Sequence, residues 1–327
     1  MLGHCYLRKY KMKKTYNILC ATDDNYVPYC GIMLTSLFEN NSELDFCIYI
    51  LVEHLSDKSR NKFAVLARNY SQRIEIITVD NEVFNKCPIR PGDHVSIVTY
   101  YRLLAPVLLP SNIDKILYLD CDMVINGDIS SLYNQDIDEH PIAMSKDEAF
   151  FIEDKYERLI FNKEYAYKNA GVALINIKYW RKKNIAAKCL EYISKYPERI
   201  KFHDQDTLNA VLHKEIKLLP IKYNFQTGFL LTEYARFYKN EMPEIFETTK
   251  SPVIIHFTGP NKPWFIDSKH PYRKRFLYYK NISLWKGHPT NNNKTSLYQR
   301  IIKLRNEIIW FLGIKKRPIT YIIKMQD

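Results

Sequence analysis

Through the first 120 residues, short apolar runs alternate with longer segments whose apolar positions recur at helical spacing. Asn17 to Thr22 and Phe46 to Val52 are the first two runs, and Arg73 to Val79 sets Ile74, Ile76 and Thr78 against Glu75 and Ile77, the period-2 alternation of a strand. Before the third run, Ser56 supplies an N-cap, and Phe63, Leu66 and Tyr70 follow at helical intervals. This βαβ rhythm predicts an α/β domain with a mostly parallel central sheet. Lys115 to Leu119 is a further apolar run. The second half is less regular. Val172 to Ile177 reads as a buried strand, Lys178 to Tyr196 as a helix and Val253 to Phe257 as a short strand, with no internal repeat. The Pro/Asn-rich stretch from His288 to Asn293 marks the boundary between a body and a tail.

Parallel sheets place ligands beyond the carboxyl ends of their strands, and two acidic clusters fall there. Asp23-Asp24-Asn25 follows the first strand and Asp120-Cys121-Asp122 follows Lys115 to Leu119, so both should face one crevice. Carboxylates at i and i+2 of a strand point the same way, about 6 to 7 Å apart. Such a pair suits a hard divalent cation that keeps positions open for phosphate oxygens. On its own an Asp-x-Asp triplet is a weak signal, frequent in ordinary loops.

Composition narrows the class. With 327 residues, 46% apolar and 14% aromatic, the chain is globular and long enough for a sizeable core. Its seven cysteines stand singly, without a CxxC pair, as reduced thiols of a cytosolic protein do. No stretch reaches the ~20 apolar residues of a membrane span, and the N-terminus lacks a signal-peptide core, so the chain is expected to be neither secreted nor membrane-spanning. The net charge of +12 suggests nucleic acid until it is located. Residues 1–14 carry +5 and residues 286–327 carry +7, leaving 34 basic and 34 acidic residues between them. A neutral body does not offer a groove to a polyanion, so no nucleic-acid partner is expected. In the tail, Leu297, Ile301, Leu304, Ile308 and Phe311 recur at four-three spacing with Arg300, Lys303 and Arg305 between them and Lys315-Lys316-Arg317 beyond. A basic amphipathic helix bearing Trp310 suits an anionic membrane surface. The alternative is a helix packed on its own domain or on a partner.

Further segments join the acidic pair: Ile18 to Tyr26, Tyr100-Tyr101-Arg102-Leu103, Asn169-Ala170-Gly171, His203-Asp204-Gln205-Asp206, and His256-Phe257-Thr258-Gly259-Pro260-Asn261-Lys262-Pro263-Trp264. In this order and spacing they resemble glycosyltransferase family 8, the retaining enzymes that include bacterial lipopolysaccharide galactosyl- and glucosyltransferases and glycogenin. The resemblance covers roughly residues 15–285. It implies a single GT-A type nucleotide-sugar-binding domain over 15–285, between a basic N-terminal extension at 1–14 and a basic amphipathic helical tail at 286–327.

Position by position, the resemblance implies that Asp120, Asp122 and His256 are metal ligands. An imidazole among carboxylates favours Mn²⁺, with Mg²⁺ the alternative. Lys262 is implied as the diphosphate contact, and Gly259 lets the backbone approach the phosphates. Ala21, Thr22, Asp23, Asn25 and Tyr26 match the segment that holds uracil and ribose, with Cys121 beside them. Arg102, Asp147, Asn169, Ala170, Gly171, Asp204 and Gln205 match the surroundings of the donor sugar. Of these, Asp147 has the loosest context, Met144-Ser145-Lys146-Asp147. Gln205 stands where a nucleophile would be sought. An amide is a poor one, which favours front-side attack by the acceptor hydroxyl, with Asp204 the carboxylate for a double displacement. The implied enzyme is a metal-dependent hexosyltransferase that takes galactose or glucose from a UDP-sugar to a lipopolysaccharide or lipooligosaccharide core acceptor. It would work in the cytoplasm, peripherally attached to the inner face of the plasma membrane. The alternatives are a self-glucosylating glycogenin-like primer and a sugar nucleotidyltransferase. The latter would want a glycine-rich phosphate loop near the first strand, and none of the nine glycines cluster there.

Overall fold

The computed structural model describes residues 14–89, 97–290 and 321–323. In chain order its elements are β1 (Thr15–Ala21), α1 (Val27–Asn40), β2 (Asp45–Val52), α2 (Asp57–Asn69) and β3 (Arg73–Thr78). A 3-10 segment, Ile97–Leu104, then leads into α3 (Ala105–Leu108), β4 (Lys115–Leu119), β5 (Met123–Ile125), α4 (Ser130–Tyr133), β6 (Ile142–Lys146) and α5 (Asp154–Leu159). The chain continues through β7 (Lys168–Asn176), α6 (Ile177–Lys183), α7 (Ile185–Lys195), α8 (His203–Leu212), β8 (Lys217–Leu219), β9 (Phe225–Gln226), α9 (Met242–Lys250), β10 (Ile254–His256) and α10 (Arg273–Ile282).

Seven strands form one sheet in the order β3-β2-β1-β4-β7-β6-β8, and β5-β10-β9 form a second. In the large sheet β7 runs against both of its neighbours and every other pairing is parallel, so the sheet is mostly parallel as the βαβ rhythm implies. Both faces are buried. Ile18, Ile48, Ile50, Leu117 and Leu174 point into one core shared with α1 and α10, while Leu19, Tyr49, Leu51, Tyr118 and Ile175 point into another. Burial on both faces is why these strands appear as continuous apolar runs.

Ser56 caps α2 as expected, accepting from Ser59 N at 3.4 Å. The single helix expected from Lys178 to Tyr196 is instead two, α6 and α7, broken at Asn184, whose φ of 52° is left-handed. Asn tolerates that conformation better than other residues bearing a Cβ, so it ends one helix and starts the next. The strand expected at Val172 begins four residues earlier, at Lys168. Its first residues carry no apolar pattern because their polar groups serve the site described below.

The basic N-terminal stretch, apart from Lys14, and the tail pattern from Leu297 to Arg317 lie outside the described residues. On the near side of that stretch the body runs past residue 285, since Trp285 is buried and the His288 ring meets Tyr29 at 5.7 Å. On the far side Tyr321 pairs antiparallel with Leu231, Ile322 N donates to Leu230 O at 2.7 Å, and Ile323 packs on the core. Residues 285–288 and 321–323 therefore both pack on the body. Among the described residues, no helix is long and apolar enough to cross a membrane.

Candidate active site

Because β7 is reversed, its first residues meet the end of β4. Leu119 pairs with Val172, and Asp120 N then donates to Gly171 O at 2.9 Å. The second sheet brings the remaining piece: His256 lies opposite Met123, and Phe257 N donates to Asp122 O at 3.0 Å. Asp120 and Asp122 directly follow the carboxyl end of β4, in the loop before β5, so loop geometry replaces strand periodicity in converging them. His256 Nε2 is 3.3 Å from Asp122 Oδ1 and 3.8 Å from Asp120 Oδ2. One ligand atom from each of the three residues lies within 4.8 Å of the others. Gly171 shapes this cradle. A Cβ there would sit 2.3 Å from His256 Cε1 and 2.7 Å from Asp120 Oδ2. Two carboxylates and one imidazole, packed this closely, fit a divalent cation.

Cations hold the outer oxygen of each carboxylate. Lys262 Nζ is 2.5 Å from Asp122 Oδ2 and 2.6 Å from Phe257 O. Burial pushes the Asp122 carboxyl up, but Lys262 and His256 outweigh it and hold the group well below the ordinary carboxylate range. Arg102 donates from Nη2 to Asp120 Oδ1 at 2.8 Å and from Nη1 to Ala170 O at 2.6 Å, with its guanidinium 3.7 Å from the Tyr118 ring centroid. Being 2% exposed, Arg102 lies beneath the site rather than on its wall. Asp204 Oδ2 is 2.9 Å from Arg102 Nε, yet that N–H is directed to Thr99 O, and the oxygen has no aligned hydrogen bond. Burial pushes the Asp204 carboxyl up to about 7 against the pull of Arg102.

The loop after β1 and the His256 to Trp264 segment are tied together by aromatic rings. Trp264, 3% exposed, stacks on Tyr29 at 3.7 Å and meets Tyr26 edge-on at 6.2 Å. Lys262, two residues before that anchor, is thereby aimed at Asp122. Asp23 Oδ1 accepts from Tyr26 N at 2.9 Å, Thr22 is buried, and Asn25 is exposed. Cys121 is buried and turns its thiol to the Ala21 carbonyl at 3.3 Å. Gly259 has φ +72° with no atom within 4 Å of a Cβ position, so backbone conformation, not crowding, asks for glycine.

A hydrogen-bonded network forms the remaining wall. The β6–β7 register shifts between Met144 and Ser145, from Ala173 to Asn169, so Ala170 and Gly171 have no β6 partner. Irregularities of this kind re-aim groups beside active sites. Ala170 N donates to Gln205 Oε1 and Gly171 N to Asn169 Oδ1, each at 3.0 Å. Asn169 Nδ2 and Gln205 Nε2 both donate to Asp147 Oδ2, at 3.1 and 3.2 Å, while Asp147 Oδ1 accepts from Lys155 Nζ and Ala149 N. Burial pushes the Asp147 carboxyl up, but Lys155 and these donors bring it below its ordinary value. Gln205 is half-buried at the opening of α8, whereas its neighbour Asp204 is buried below. Asp206 accepts from Lys201 N and Phe202 N at 2.7 and 2.6 Å and so fixes the entry into that helix.

The structure brings Asp120, Asp122, His256, Lys262 and Arg102 into one cluster and Asp147, Asn169, Ala170, Gly171 and Gln205 into a bonded network beside it, and adds residues that sequence reasoning missed. Lys155, Tyr167, Arg158, Asn224 and Glu148 each bond to a candidate or to its immediate neighbour. A buried lysine in an amphipathic turn and a lone asparagine before a strand carry no local signal. Trp264 was in the quoted motif, and its role as an anchor needed the fold.

A family model described as Glycosyl transferase family 8 matches residues 17–267. General stress protein A of Bacillus subtilis is 28% identical over 282 residues, covering 84% of this chain and 97% of that protein. Lipopolysaccharide glucosyltransferase WaaO of Escherichia coli is 28% identical over 289 residues, covering 85% of this chain and 82% of that one. Among solved structures, galactosyltransferase LgtC in complex with donor and acceptor sugar analogs aligns with a TM-score of 0.73 at 26% identity, over 83% of this chain and 99% of that one.

Proposed function

The chain belongs to glycosyl transferase family 8, and on that premise we propose that it is a retaining hexosyltransferase. It moves galactose or glucose from a UDP-sugar to a lipopolysaccharide or lipooligosaccharide core. The observation that carries this reading is the convergence of Asp120, Asp122 and His256 with Lys262 over a glycine cradle at the strand ends. Bound there, Mn²⁺, or alternatively Mg²⁺, would supply positive charge to the departing diphosphate.

The other steps belong to the chain's own groups. Lys262 swings its ammonium from Asp122 toward the diphosphate and neutralises charge as UDP leaves. Ala21, Thr22, Asp23, Asn25 and Tyr26, with the Cys121 backbone and Gly259, hold the nucleotide. Gln205 has both N–H groups directed to Asp147 and Tyr167 and one carbonyl lone pair taken by Ala170 N, so what it has left for the sugar is the second carbonyl lone pair. That lone pair suits developing positive charge at the anomeric carbon. Asp204 is buried against Arg102, which supports attack by the acceptor hydroxyl from the face UDP leaves, not a covalent glycosyl-enzyme on Asp204. Asp147, Asn169 and the backbone of Ala170 and Gly171 shape the sugar's seat. Arg102 steadies it from below through Asp120.

The test is slow hydrolysis of a panel of UDP-sugars by the purified protein. UDP release from one hexose donor, dependent on Mn²⁺ and abolished by chelation and by Asp122→Asn, is expected. No release from any sugar, together with no heat on titrating UDP and Mn²⁺, would overturn the reading.

Attachment to anionic lipid at the cytoplasmic face belongs to the same proposal and rests on the basic amphipathic sequence of the tail. Because Tyr321 to Ile323 pack on the body, truncation would confound the test. Replacing Arg300, Lys303, Arg305, Lys315, Lys316 and Arg317 with Gln should release the protein from anionic liposomes while donor hydrolysis persists. Unchanged sedimentation would sink this part.

A further inference from the structure

Asn224 is fully buried, just before β9, and both ends of its carboxamide are engaged. Oδ1 lies 2.8 Å from His256 Nδ1, and Nδ2 donates to Asn169 Oδ1 at 2.9 Å. We propose that Asn224 is a positioning residue that sets His256 as a metal ligand and links it mechanically to Gln205. The proposal rests on the metal-site reading above.

The assignment follows from backbone donors, whose polarity is fixed. Gly171 N can only donate, so the Asn169 atom 3.0 Å away is the carbonyl oxygen. That oxygen then requires a donor from Asn224, which places Nδ2 there and leaves Oδ1 toward His256. An acceptor at Nδ1 requires the proton on Nδ1 and leaves the Nε2 lone pair free. Nε2 is the nitrogen that faces Asp122 Oδ1 and Asp120 Oδ2. In this way one N–H of β7 dictates which histidine nitrogen can bind a cation. From Asn169 the chain of bonds continues through Nδ2 to Asp147 Oδ2 and from there to Gln205 Nε2, at 3.1 and 3.2 Å. Its far end is fixed by the adjacent β7 donor, Ala170 N, on Gln205 Oε1. Two consecutive backbone amides of β7 therefore orient the ligand and the sugar-facing amide together.

Partners that orient a ligating histidine are worth about 10- to 100-fold in metal affinity. Asn224→Leu removes both bonds, whereas Asn224→Asp keeps an acceptor for His256 and loses the donor to Asn169. Two readouts separate the possibilities: Mn²⁺ titration in the presence of UDP, and long-range proton–nitrogen NMR of ¹⁵N-histidine protein without metal. In the wild type, His256 should carry its proton on Nδ1. Asn224→Leu should lose that preference and bind Mn²⁺ about 10- to 100-fold more weakly. Asn224→Asp should keep Mn²⁺ affinity near the wild-type value but lower kcat for transfer. A folded Asn224→Leu with wild-type Mn²⁺ affinity or an unchanged His256 spectrum overturns the proposal. Should the leucine variant fail to fold, Asn224→Asp decides alone, and Mn²⁺ loss in that variant, or wild-type kcat, overturns it. A wild type that takes up no Mn²⁺ overturns the metal-site reading, and the His256 spectrum still reports whether Asn224 sets the tautomer.

Discussion

On the side proposed for the diphosphate, the Asp120 and Asp122 carboxylates stand beside the Lys262 ammonium on loops, with His256 at the end of β10 between them. On the side proposed for the sugar, Asp147, Asn169, Gln205 and Tyr167 are bonded to one another. Asp147 alone accepts from Lys155, Ala149 N, Asn169 and Gln205. The first wall keeps its charges exchangeable: Lys262 can trade Asp122 for a ligand because both are held by loops and their neighbours. The second has few polar atoms left over, and its rigidity is what it contributes. Damage to the first wall should appear as lost chemistry, and damage to the second as lost stability before lost chemistry.

Lys155→Met attacks the second wall hardest. The Lys155–Asp147 pair is buried, with side chains 3% and 8% exposed, and breaking such a pair leaves an uncompensated carboxylate, costing about 3–5 kcal/mol. Chemical denaturation should show this loss at neutral pH. The Asp147 carboxyl is held below its ordinary 3.8, so it contributes stability above that pH and loses it as pH falls. The gap between variant and wild type should therefore narrow below about pH 4. A stable, inactive Lys155→Met would break the comparison.

Lys262→Ala attacks the first wall. Removing one positioned cation from a developing anion typically costs about 100- to 1,000-fold in kcat. The melting temperature should fall less than in Lys155→Met, since the Lys262–Asp122 side chains are 15% and 16% exposed and water can screen part of the loss. Unfolding with retained specific activity would invert the two walls. Gly171→Ala comes next. Its Cβ meets His256 and Asp120 under 3.0 Å, so the ligand triad must open, and Mn²⁺ affinity should fall at least about tenfold in calorimetry.

The same division explains what was legible in the sequence. Asp120-Cys121-Asp122 follows an apolar run, and His256 to Trp264 is contiguous, so the charged wall appears as motifs. The central strands β1, β2 and β4 appear as apolar runs because both faces are buried, whereas the edge strand β3 shows as an alternation. The amide wall is assembled from residues distant in sequence: Asn224 lies 55 positions from Asn169 and 32 from His256. No local pattern encodes those contacts. The start of β7 was missed for a related reason, as Lys168, Asn169 and Gly171 supply polar and backbone groups and Ala170 alone gives the core a side chain. Asn184 broke an otherwise continuous helical pattern through backbone conformation alone, a weaker signal than Gly or Pro.

Tyr167→Phe should have the smallest effect and sharpens the comparison most finely. The hydroxyl donates to Asp206 Oδ1 at 2.7 Å and accepts from Gln205 Nε2 at 3.3 Å, in a fully buried position. Its loss leaves neither partner stranded: Asp206 keeps Arg158 and two backbone donors, and Gln205 keeps Asp147 and Ala170. Removing one such hydrogen bond costs about 1 kcal/mol. If the amide wall acts by rigidity, the stability loss should be measurable while kcat falls only a few-fold, because Gln205 is still held at two other points. A kcat loss approaching that of Lys262→Ala with unchanged stability would mean that the hydroxyl touches the reacting sugar, and the sugar wall would then belong with the charged one.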